Sequence, residues 1–125
     1  MAVQGERLLK TYKTAAAVGT SYVFVYQSAA NQITRCSGTS NVIVGVVENN
    51  PAINEPARVC FSGMTKVRAG TAITRGAQLR ASSGLEGGQG DAFTGTTTDE
   101  CGGYAEESGS RGELISIRVA PFQHI

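Results

Sequence analysis

The chain has 125 residues, which suits one domain with a buried core, and 41% of the residues are hydrophobic. Only 17% are charged and the formal net charge is +1, so the basic excess typical of nucleic-acid-binding proteins is excluded. No apolar run approaches the length of a membrane span. With 16 glycines, the composition favours an all-β protein with many tight turns, and we expect neither a nucleic-acid nor a membrane partner.

The first twenty residues have no regular period. We interpret residues 1–20 as an N-terminal arm, either a short helix or an extended segment, and residues 21–125 as a β-barrel or β-sandwich domain. Met1–Arg7 lacks the apolar stretch of a signal peptide. Within the arm, the candidate contacts with a partner are the apolar and aromatic residues Leu8, Leu9 and Tyr12.

Ser21–Gln27 is predicted to be a strand because β-branched and aromatic residues fill it. Tyr22, Phe24 and Tyr26 share one face of this strand, and valines occupy the other. Since both faces are apolar, we expect the strand either to be buried on both sides or to lie at a subunit interface. The three aromatic residues are therefore candidate interface residues as well as candidate core residues.

The next two predicted strands are Gln32–Cys36 and Asn41–Glu48. Gly45 interrupts the second of them. A glycine inside a strand indicates a bulge or a close approach of another backbone.

Glycines punctuate Val59–Arg80, the stretch that follows. Gly63, Gly70 and Gly76 stand where we expect the chain to reverse, because glycine tolerates positive φ. The pattern predicts a β-meander of three short strands. After it, residues 82–100 are rich in glycine and poor in large apolar residues, which favours a long loop.

Two strands are predicted near the C-terminus, Gly102–Glu107 and Glu113–Ala120. In the second, Ile115, Ile117 and Val119 alternate with polar residues and define a buried face. The chain thus contains seven to eight short strands separated by turns, and the predicted fold is a small barrel or sandwich.

Residues of the types that catalyse reactions or bind metals are poorly placed in this sequence. The three cysteines, Cys36, Cys60 and Cys101, have no metal-ligand spacing, and the single histidine is His124. Nucleophilic catalysis requires a base beside a serine or cysteine, and the sequence positions none. We therefore expect reduced structural thiols, no metal, no cofactor and no enzymatic activity.

Ser62–Leu79 resembles half of the motif of biotinyl and lipoyl carrier domains, in which apolar strands alternate with glycines. The modified lysine of those domains sits on a tight hairpin, and Lys66 follows Met64 here without a second methionine. This resemblance implies, as the alternative function, a carrier or small-ligand-binding barrel.

A longer pattern covers about residues 20–120. It joins Val44-Gly-Val-Val47, Pro56–Gly63 and Ala72–Leu79 to the closing segments Gly103–Glu107 and Leu114–Val119. This order of glycine and aliphatic residues resembles the capsid cement, or head decoration, proteins of tailed bacteriophages. Members of that family are β-rich, have no enzymatic activity and often form trimers at three-fold or quasi-three-fold positions of the shell.

The resemblance implies a virion structural protein that is made in the host cytoplasm and binds the outer surface of the phage head. Its implied partners are the major capsid protein and other copies of the chain in a homotrimer. By decorating the shell, such a protein stabilises contacts between neighbouring capsid subunits.

Overall fold

The computed structural model describes residues 8–37, 42–81, 90–93 and 100–123, and all the regular elements among them are β-strands. The strands are β1 Leu8–Thr14, β2 Val23–Ala29, β3 Gln32–Arg35, β4 Ile43–Val47, β5 Pro56–Arg68, β6 Gln78–Ala81, β7 Gly90–Phe93, β8 Glu100–Ala105 and β9 Leu114–Gln123. The predicted all-β class is therefore confirmed.

Five strands close into a barrel in the order β1, β3, β2, β4 and β5, with β5 pairing back onto β1. The barrel closes through a short parallel pairing, in which Lys13 lies opposite Gln32 and Thr14 opposite Ile33. Alternate residues of the strands point inward, as strand geometry requires. The buried interior is lined by Tyr12, Val18, Val23, Val25, Ile33, Val47, Ala57 and Val59.

Residues 8–14 are part of this barrel, which corrects the prediction of an arm over residues 1–20. β1 runs antiparallel to β5, from Leu8 opposite Ser62 to Lys13 opposite Pro56. Within β1 only the side chains of Tyr12 and Thr14 are buried. The strand therefore shows little of the apolar alternation by which strands are recognised in a sequence. Residues 1–7 lie outside the described residues.

A second, antiparallel sheet continues from the barrel in the order β5, β9, β8, β6 and β7. β5 belongs to both parts of the fold: residues up to Ser62 pair with β1, and residues from Gly63 onward pair with β9. Gly63 has a φ of +98° at this change of partner. The predicted chain reversal at Gly63 is wrong, because the glycine redirects one long strand between two sheets. The turn predicted at Gly76 is confirmed, with a φ of +90°. The predicted three-strand meander is wrong, because β9 and β8 lie between β5 and β6 in the sheet.

The second sheet packs against the outside of the barrel. The residues of this larger core include Phe24 and Val46 from the barrel and Leu79, Ile117 and Val119 from the second sheet. Consequently β2 is buried on both faces, with Val23, Phe24 and Val25 all at 0% exposure. Of the two alternatives predicted for this strand, burial on both sides within one chain is correct.

Gly45 shows both features that a glycine inside a strand indicates, a bulge and a close approach of another backbone. The pairing of β2 with β4 shifts register beside it, between Val25 and Tyr26. A Cβ at Gly45 would lie 2.9 Å from Cγ1 of Val59 and closer still to the carbonyl oxygen of Cys60. Only glycine lets β4 approach β5 so closely at this point.

The long loop predicted over residues 82–100 is interrupted. Gly90–Phe93 forms β7, which pairs antiparallel with β6, and Glu100 already begins β8. The remaining residues of that segment, 82–89 and 94–99, lie outside the described residues. The two strands predicted near the C-terminus are confirmed as β8 and β9, which pair antiparallel.

Candidate interaction surface

Two of the predicted contact residues are unavailable to a partner. Tyr12 is 6% exposed inside the barrel, and Phe24 is 0% exposed between the barrel and the second sheet. Their aromatic rings fill the two cores, so the prediction that they contact another subunit is wrong. The physical reason is that other strands of the same chain cover the apolar faces of β1 and β2.

Tyr22 and Tyr26 are half-buried. Tyr26 packs against the larger core, whereas Tyr22 precedes β2 with a φ of +61°. The backbone N–H of Tyr22 donates to the carbonyl of Val47, and its carbonyl accepts from the N–H of Arg68 at 2.9 Å. Tyr22, Phe24 and Tyr26 therefore do not form the continuous aromatic surface that simple alternation predicts.

Leu8 and Leu9 are the predicted contact residues that lie on the surface. Their side chains are 50% and 41% exposed at the start of β1, opposite Ser62 and Cys60 of β5. The register shifts between the two leucines. Lys10 follows them, with its ammonium nitrogen 4.9 Å from the centre of the Tyr12 ring. Two adjacent exposed leucines remain a candidate contact patch, and their role in binding stays a prediction.

A second candidate surface is the outward face of the second sheet, which sequence reasoning missed. Four residues lie in register across its strands: Met64 of β5, Arg118 of β9, Tyr104 of β8 and Gln78 of β6. Their neighbours at alternate positions, such as Ile117 and Leu79, face the core. The alternation in β9 predicts that Arg118 points outward, but no local pattern predicts which side chains lie beside it.

Arg118 lines an open pocket of about 340 Å³, together with Arg75, Gly76, Tyr104, Ala105 and Glu106. We call these six residues the arginine pocket. The guanidinium carbon of Arg118 lies 5.8 Å from the centre of the Tyr104 ring. Its Nε lies 3.6 Å from a carboxylate oxygen of Glu106, and the two side chains are 60% and 39% exposed. At this distance and exposure the ion pair is weak, so Arg118 can accept another carboxylate.

The two adjacent carboxylates after β8 have separate partners. Glu106 lies beside Arg118, whereas Glu107 accepts a hydrogen bond of 2.7 Å from the backbone N–H of Ser116. That hydrogen bond, with the positive charge of Lys66 nearby, lowers the pKa of Glu107 below its ordinary value. The pair thus does not converge on one point, which a shared acid–base site would require.

The three cysteines are buried thiols that form no disulfide. Burial raises the pKa of Cys36 from 9.0 to about 12, because the thiolate would lose its hydration. The reactive form of this cysteine is therefore suppressed at neutral pH. His124 lies outside the described residues.

Lys66 lies in the middle of β5, opposite Ser116 of β9. Its side chain is exposed on a paired strand, whereas the lysine of carrier domains sits on a tight hairpin. The local geometry on which the carrier resemblance depends is therefore missing at this residue.

Within the described ranges, no group of three or more histidine, cysteine, aspartate or glutamate side chains could hold a metal ion. Nor does any helix in that part of the chain have the length and hydrophobicity to cross a membrane.

No protein-family model matches the chain, and no curated protein matches it by sequence. Among solved structures, the chain is similar to the N base of the head fiber protein gp8.5 of bacteriophage phi29. The two share 18% sequence identity with a TM-score of 0.66, and the match covers 92% of this chain and 95% of that one. This similarity shows a common fold over nearly the whole of both chains.

Proposed function

We propose that this chain is a structural protein of a bacteriophage head that decorates the outer surface of the capsid. The observation that carries the proposal is the fold shared with a phage head fiber base along 92% of the chain. The glycine and aliphatic spacings that resemble head decoration proteins support the same conclusion independently of that fold. The chain acts without catalysis, by binding the major capsid protein and stabilising contacts between its subunits.

The architecture suits a rigid structural role. β5 runs through both the barrel and the second sheet, so the two parts share a strand as well as the core around Phe24. Moving the two parts relative to each other would therefore break hydrogen bonds of β5 and open that core. Many copies bound to one shell would add weak individual contacts into a large total stabilisation.

Leu8 and Leu9 are the proposed apolar contact with the capsid. Both are large apolar side chains that remain exposed on β1. Burying the exposed half of each leucine contributes about 1 kcal/mol, so losing both weakens a single contact by roughly tenfold to thirtyfold. The chain is proposed to act as a homotrimer at three-fold positions, which sedimentation equilibrium would test by its mass.

Co-sedimentation with purified, DNA-free expanded heads of a phage that encodes the chain tests the function. The heads should be prepared without this protein, and binding should then saturate at a fixed number of copies per head. Absence of binding at protein concentrations of tens of micromolar would contradict the proposed function.

The double substitution Leu8→Asp with Leu9→Asp should weaken that binding by the factor given above. Ile53→Asp is the matched control, because Ile53 is 58% exposed but lies in the connection between β4 and β5. Equal affinity of the leucine variant and the control variant would remove the leucines from the contact while leaving the function intact.

A further inference from the structure

We propose that the arginine pocket binds a carboxylate side chain presented by an acidic surface of a partner protein. This inference rests on the proposed function, in which the partner is the capsid, and it names the chemistry of a second contact. The pocket is separate from the leucine patch, since Leu8 and Leu9 lie on the barrel.

The walls of the pocket are fixed before any ligand arrives. The turn that carries Arg75 is held against β8 by two backbone hydrogen bonds, from Gly76 N–H to the Ala105 carbonyl and from Ala105 N–H to the Ala77 carbonyl. The N–H of Arg75 also donates to Oγ of Ser108 at 2.9 Å. A site that is already ordered loses less entropy when it binds.

The described residues of the pocket carry more positive than negative charge. Two arginines and one glutamate line it there, and that glutamate is the loosely held Glu106. Among the described residues no ion-pair partner is found for the guanidinium of Arg75. Guanidinium groups bind carboxylates through paired N–H donors, so the pocket has the capacity to accept one more carboxylate.

A protein carboxylate fits these observations better than nucleic acid. Phosphate backbones are bound by runs of many cations, whereas this pocket offers two in a chain of net charge +1. Charge complementarity therefore points to an acidic protein surface.

Glu106 is an internal competitor for Arg118. Because it lies 3.6 Å from the Arg118 Nε, an incoming carboxylate must share or displace it. Glu106→Gln should thus strengthen binding, and Arg118→Gln should weaken it. Opposite effects from two neighbouring substitutions are a signature that general loss of structure would not produce.

The test uses the full chain with two probes at low and at physiological salt. The first probe is a hexaglutamate peptide, with hexaglutamine as its neutral control, titrated by NMR. The second is the head preparation used to test the proposed function. Arg58→Gln is the matched control, because Arg58 is an exposed arginine on the barrel half of β5.

We expect Arg118→Gln and Arg75→Gln each to reduce affinity about fivefold or more for both probes, and salt to weaken binding by the unsubstituted chain. Glu106→Gln should raise affinity, and Arg58→Gln should leave it unchanged. Equal hexaglutamate affinities for Arg118→Gln and Arg58→Gln would overturn the inference. So would tight head binding that neither pocket substitution changes, although the proposed function would then stand. Arginine-dependent binding of hexaglutamate without any head binding would support the pocket and overturn the proposed function.

Discussion

Replacing Gly102 by alanine tests how the barrel and the second sheet are joined. Gly102 lies in β8 directly against the ring of Phe24, which fills the core between the two parts. A Cβ at residue 102 would lie 2.7 Å from both Cδ1 and Cζ of that ring, and nearer still to Cε1. Carbon atoms cannot approach so closely, and the fully buried ring has little space into which it can move.

The expected cost follows from this overlap. Forcing an extra methyl group into a packed core destabilises a protein by about 1–3 kcal/mol. For a domain of 125 residues that corresponds to a melting temperature about 4 to 11 °C lower. Phe24→Leu alone should cost about 1–2 kcal/mol, because the leucine leaves part of the ring volume empty.

The double variant is the decisive measurement. If the alanine methyl group occupies the space vacated by the ring, the two free-energy changes should fall short of additivity by at least about 1 kcal/mol. Urea unfolding of the four proteins in the cycle gives this coupling energy. Gly76→Ala is the control, because its Cβ would meet nothing within 4 Å and its cost would come from the φ of +90° alone. Additivity within about 0.5 kcal/mol for Gly102 and Phe24 would refute the packing described here.

Three further predictions concern the barrel and its neighbouring thiol. Deleting residues 2–14 removes β1, so the cooperative thermal transition should be lost; a cooperative transition within a few degrees of that of the whole chain would contradict the barrel assignment. Tyr12→Ala should lower the free energy of unfolding by about 3 kcal/mol in urea titrations, because it empties a buried site, and a change below about 1 kcal/mol would contradict that burial. Since the folded-state pKa of Cys36 is about 12 and its ordinary value is 9.0, the unfolded chain loses this proton first, and stability should fall as the pH rises above 9. Urea unfolding from pH 8 to 10 should show a shallower fall for Cys36→Ala, and identical slopes would disprove the raised pKa.

Alternation along the chain correctly predicted several elements. In β9, Ile115, Ile117 and Val119 are buried and the residues between them face outward, as a period of two requires. The same local reasoning identified β2, because its two apolar faces both need cover. Gly45 was also predictable, since a glycine inside an apolar strand signals a close approach whichever strand approaches.

Other features depend on contacts between distant parts of the chain. The sequence predicts an arm in place of β1, because only Tyr12 and Thr14 of that strand are buried. The pairing of β1 with β5 joins residues about fifty positions apart. Gly63 is indistinguishable in sequence from a turn glycine, yet it lies within one strand that changes partners. The candidate sites divide in the same way: Leu8 and Leu9 were identified from their apolar character, whereas the arginine pocket was not.

Side-chain patterns in the sequence are enough to predict the all-β class, the strands with strong alternation and the two apolar faces of β2. These follow from side-chain direction, which is a local property of a strand. Three features depend on tertiary contacts: the barrel closes through β1, Phe24 packs in the core between barrel and sheet, and Arg75 and Arg118 line one pocket. Such pairings depend on the free energy of packing and hydrogen bonding between distant segments, which no local pattern records.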